Sequence, residues 1–61
     1  MNNTYKIKLK TDANIVHLVS GEYYTIKDGW LNVYIWEEEF DEVAVFSAHA
    51  NDVEFIGIVD K

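Results

Sequence analysis

Sixty-one residues with no cysteine, and eleven acidic side chains against five lysines and no arginine for a net charge of −6, fit one small acidic domain. A chain this short buries only about 60% of the surface its unfolded form exposes. With only His17 and His49, far apart, to ligate a metal, neither disulfide nor metal is at hand to supplement the core, which leaves oligomerisation. The charge disfavours general binding to a phosphate backbone unless the lysines cluster. No apolar run reaches signal-peptide length or the roughly 20 residues of a membrane span, so the chain is read as cytoplasmic, complete and without a membrane partner. A lack of cysteine fits a reducing compartment.

Apolar residues recur at period two, and β-branched and aromatic types fill every run, which predicts an all-β chain. A first strand over residues 5–10 sends Tyr5, Ile7 and Leu9 to one face and Lys6, Lys8 and Lys10 to the other. Thr11-Asp12-Ala13-Asn14 is polar enough to turn the chain. A short second strand covers residues 15–19, Ser20-Gly21 marks a bend or bulge, and the strand resumes over 23–27.

Asp28-Gly29 is the strongest local signal, because a two-residue type I′ turn needs positive φ at both positions. Closing a hairpin there pairs Lys27 with Trp30, Ile26 with Leu31, Thr25 with Asn32, Tyr24 with Val33 and Tyr23 with Tyr34. Tyr24, Ile26, Leu31, Val33 and Ile35 then form an aliphatic core face, and Tyr23, Thr25, Lys27, Trp30, Asn32, Tyr34 and Trp36 an aromatic and polar one. Residues 37–42 make the next connection. A four-residue loop puts Ala44, Phe46 and Ala48 inward and Val43 and Val45 beside Trp36 and Tyr34; one more loop residue reverses this. Residues 47–52 read as a turn with room for one 3₁₀ turn, and a last strand covers 53–59, with a bend at Gly57.

Five to six short antiparallel strands in a single domain, 1–61, predict a small, partly open barrel of SH3-like or Sm-like type. The runs KDGWLNVY, EVAVFSA and NDVEFIGIVD, covering roughly the C-terminal half, resemble short uncharacterised β proteins of Gram-positive bacteria and their phages. That resemblance implies a fold and a phage setting, hence a host cytoplasm, and carries over no functional residue.

No Gly-rich phosphate loop, no nucleophile beside a base and no paired carboxylates at a cleft are found, so the chain is not read as an enzyme and no cofactor or catalytic residue is assigned. His17 and His49 receive no role. Glu37, Glu38, Glu39, Asp41 and Glu42 lack the spacing and the glycine of a calcium loop and read as a solvated hairpin tip, with no metal assigned. Lys6, Lys8 and Lys10 form the only basic stripe. It is either a single-stranded nucleic-acid platform with Tyr or Trp beside it, or edge protection on a terminal strand. Trp30, Tyr34 and Trp36, with Tyr23 across and Val43 and Val45 alongside, form either an exposed interface or a patch covered by a second layer such as the N-terminal strand.

The expectation is a self-associating, non-enzymatic module that binds another protein with a basic site. Its most specific form is a phage or prophage inhibitor of a host protein by acidic mimicry of nucleic acid. The alternatives are a single-stranded nucleic-acid or nucleotide binder, as a ring, using Lys6, Lys8, Lys10 and the aromatics, and a purely structural oligomer.

Overall fold

The computed structural model describes residues 2–59, out of the single domain expected over 1–61. Six strands run β1 (Asn3–Leu9), β2 (His17–Gly21), β3 (Tyr23–Lys27), β4 (Trp30–Glu37), β5 (Asp41–His49) and β6 (Val53–Ile58), with 3₁₀ turns at Lys10–Asp12 and Ala50–Asp52. The all-β antiparallel expectation holds. The strands form two three-stranded sheets, ordered β2-β1-β6 and β3-β4-β5, that do not close into a barrel.

Asp28 and Gly29 take φ of 53° and 83°, and β3 pairs with β4 in the register that the turn dictates, Tyr23 with Tyr34 through Lys27 with Trp30. The chain passes between sheets at Glu22. Gly21 just before it is buried, because a Cβ there would run into the Val33 Cγ1 and stand 3.2 Å from the Tyr34 carbonyl oxygen. The absence of a side chain lets β2 lie against β4. Glu22 then fastens the crossover: its N–H donates to the Tyr34 carbonyl at 2.8 Å, and its carboxylate accepts from the Trp36 N–H at 2.6 Å, beyond the last β3–β4 pair. From the first sheet, the Tyr5 hydroxyl and the Asn3 amide reach the Glu22 carbonyl, each at 3.4 Å. The 3₁₀ turns are tied together by Asp52, whose carboxylate accepts from the Thr11 N–H at 3.1 Å and hydroxyl at 2.8 Å.

The core lies between the sheets. Ile7, Leu31 and Val33 are fully enclosed with Tyr5, and Leu9, Val19, Phe46, Val53 and Ile56 close around them. Each enclosed aliphatic side chain contributes about 1.5–3 kcal/mol. The aliphatic face of the second sheet is core mainly along β4 and β5: on edge strand β3 Ile26 is exposed, and Tyr24, itself partly exposed, meets the Tyr5 ring of the first sheet edge-on, centroids 5.5 Å apart.

Two expectations need correction. The stripe of Lys6, Lys8 and Lys10 is not edge protection, because β1 is the central strand of its sheet, flanked by β2 and β6, and Lys10 has left the strand for a 3₁₀ turn. The β4–β5 loop has three residues, Glu38 to Phe40, with Glu37 opposite Asp41. Val43 therefore faces across to Ile35 on the aliphatic side, and Ala44 across to Tyr34 on the outer side, the reverse of the expected placement. A bulge at Val45 shifts the register by one, so that Val33 meets Phe46 and Leu31 meets Ala48, as the four-residue loop required.

Candidate functional site

The side of the second sheet turned away from the core is built in rows. Tyr23 and Tyr34 pair across β3 and β4 with rings stacked 5.3 Å apart. Below them Thr25, Asn32 and Ser47 lie side by side, the Ser47 hydroxyl donating to the Asn32 side-chain oxygen. At the turn end Trp30 lies on His49, centroid to centroid 4.1 Å. At the other end Trp36 is 60% exposed, its backbone held by Glu22.

Trp30 and Tyr23 are also exposed, and Tyr34 is half-buried by its stacking partner. The N-terminal strand does not fold over these rings; it lies in the other sheet. Of the two valines expected alongside, Val45 is exposed at the bulge, and Val43 is half-buried on the opposite side.

This face runs into the acidic hairpin end. Glu37, Glu38, Glu39, Asp41 and Glu42 are all exposed, and among them stands Phe40, at 70% exposure the most open of the large apolar side chains described. Sequence reasoning passed over Phe40. Its signal was an aromatic enclosed by five carboxylates in a connecting loop, where no strand exists to carry it into a core. Trp36 and Phe40 thus form two apolar anchors in a field of negative charge.

Lys6 and Lys8 project from the outer side of the first sheet, with Lys8 3.8 Å from Glu54. The aromatic across from Lys8 is Phe55, whereas Trp30, Tyr34 and Trp36 stand on the outer side of the other sheet. The structure does not bring the basic stripe and the Trp/Tyr patch together. The histidines are also apart: His17 packs inward against Phe46, centroids 5.7 Å apart, and His49 outward against Trp30. Among the described residues, no group of three or more His, Asp or Glu is placed to hold a metal ion, and no helix is long and apolar enough to cross a membrane. Comparison with family models, curated proteins and solved structures finds no match.

Proposed function

We propose that the chain is a non-enzymatic, self-associating interaction module whose acidic β4–β5 end engages a basic surface on a protein partner. The observation that carries the reading is the exposure of Trp36 and Phe40 amid Glu37, Glu38, Glu39, Asp41 and Glu42. Aromatic anchors supply interface energy, and the charges around them steer a basic partner and repel an acidic one. Self-association through Tyr23, Trp30, Tyr34, Trp36 and Val45 follows from the same exposure in a chain whose enclosed core is three aliphatic side chains and a tyrosine. In its most specific form the module is a phage or prophage inhibitor acting in the host cytoplasm, its acidic end taking the place of nucleic acid on a host protein. The nucleic-acid alternative is weaker because the lysines and the Trp/Tyr rings occupy different sheets.

Sedimentation over a concentration range tests self-association. The wild-type chain is expected to associate, and Trp36→Ala to weaken association by roughly thirtyfold, the equivalent of about 2 kcal/mol for an interfacial aromatic. A wild-type chain that stays a folded monomer at high micromolar concentration refutes it. Replacing Glu37, Glu38 and Glu39 by lysine is expected to preserve the fold and to slow association with a lysine-rich peptide. An unchanged rate at every salt concentration removes the role of the acidic end.

A further inference from the structure

The outer side of the first sheet carries apolar surface that the core does not use. In the ladder Lys6 lies between Leu18 of β2 and Gly57 of β6. The Phe55 ring reaches over Gly57, its Cζ 2.9 Å from where a Cβ would stand. Leu18 is 66% and Phe55 50% exposed. Val59, also exposed, extends the strip beside Thr4, to whose carbonyl its N–H donates at 2.8 Å. A lysine stem can lie along apolar surface with its ammonium group at the rim; the Lys8 ammonium lies 3.8 Å from Glu54. The face is therefore apolar with the Lys6 charge at its centre and the Lys8 charge shared with Glu54. The β4–β5 end is its counterpart, two exposed aromatics rimmed with negative charge.

We infer that this face receives the acidic hairpin end of a second copy, so that copies assemble head to tail. The inference rests on the interaction reading above and names the partner of the acidic end. Charge complementarity selects the occupant: against the general repulsion between chains of net charge −6, Lys6, together with Lys8 whose charge is shared with Glu54, gives an acidic neighbour a local cationic point set in exposed apolar surface. The two surfaces differ, so the contact is heterologous. Each added copy leaves one of each free, and growth ends in a closed ring or continues as a filament according to the rotation per step. A hairpin end covers less than the roughly 800 Å² per partner of a standard interface, so the contact is modest in affinity and weakened by salt.

The experiment compares four chains by sedimentation at low and moderate salt, with folding verified by circular dichroism: wild type, Lys6→Glu/Lys8→Glu, Glu37→Lys/Glu38→Lys/Glu39→Lys, and the chain carrying both sets. Each set alone is expected to weaken association at least tenfold. An equimolar mixture of the two recovers it, because every hairpin end again meets a face of opposite charge, and the chain with both sets recovers it alone. Leu18→Ser, at an exposed position, weakens association without any change of charge, and Lys6→Glu alone stands in should Lys8→Glu beside Glu54 disturb the fold. If the reversals leave wild-type association unchanged, the copies meet elsewhere; head-to-tail docking falls while self-association stands. If the wild type is monomeric throughout, both fall. Single-stranded DNA that binds the wild-type monomer at low salt and is lost with Lys6→Glu/Lys8→Glu assigns the face to nucleic acid instead and overturns the proposal.

Discussion

His17 shows how one atom can set a local cost. Its Nε2 is buried with no hydrogen-bond partner, opposite the enclosed Ile7 and beside Phe46. A buried polar group without a partner forfeits its hydration and gains nothing in return, typically about 1–3 kcal/mol. His17→Leu removes the group and keeps the volume, so it should raise the thermal midpoint by several degrees, about 4–8 °C per kcal/mol in a domain of this size. A lower midpoint would mean that the imidazole makes an interaction worth more than its burial costs. The glycines make a second contrast. At Gly21 an added methyl meets Val33, itself locked in the core, whereas at Gly57 it meets the tip of the exposed Phe55 ring, which can swing aside. Gly21→Ala should cost about 1–3 kcal/mol by overpacking, and Gly57→Ala much less. Urea midpoints measure both.

The hairpins differ in how far their sequences determine them. Asp28-Gly29 was legible because a tight turn with two positive φ angles admits few residue pairs, and one angle pair then fixes every cross-strand partner in β3 and β4. Residues 37–42 carry no such restriction. Six polar and aromatic residues allow several loop lengths, and the bulge at Val45 cancels the one-residue difference in the inner half of the hairpin, so the pattern of Phe46 and Ala48 could not reveal what happened near the tip. Strand order was hidden for another reason. Alternation tells which side of β1 is apolar but not whether one strand or two lie alongside it, so lysines on a central strand read like lysines on an edge. Asp41, the first residue of β5, is a non-glycine residue at φ 61°. Asp41→Gly removes that left-handed penalty and should stabilise the fold by about 0.5–1 kcal/mol. An unchanged or lower urea midpoint would show that the aspartate side chain offsets the strain locally.

The molecule as a whole is a thin plate, 35 × 31 × 13 Å between Cα extremes. Two sheets at such a thickness enclose a single layer of side chains, and the consequence is a surface of 4554 Å², above the about 4,100 Å² of a compact monomer of this mass. If copies cover that excess, folding and assembly are linked. The unfolding temperature of the wild type should rise with protein concentration, and that of Trp36→Ala should begin to rise only at roughly thirtyfold higher concentration. A midpoint independent of concentration over two decades would uncouple them. The two sheets also differ in the chain that must be gathered to make them. The second is built from strands consecutive in sequence, each closing on its neighbour through a loop of a few residues, whereas the first waits for β6 to return to β1, pairing Tyr5 with Ile58 across almost the whole chain. Closing so large a loop precedes any reward from the contacts it makes. Folding is therefore ordered in time: in pulse-labelled refolding, amides of β3, β4 and β5 should gain protection before those linking β1 and β6. A circular permutant that places β6 directly ahead of β1 turns that distant closure into a local hairpin, and should shorten the slow phase.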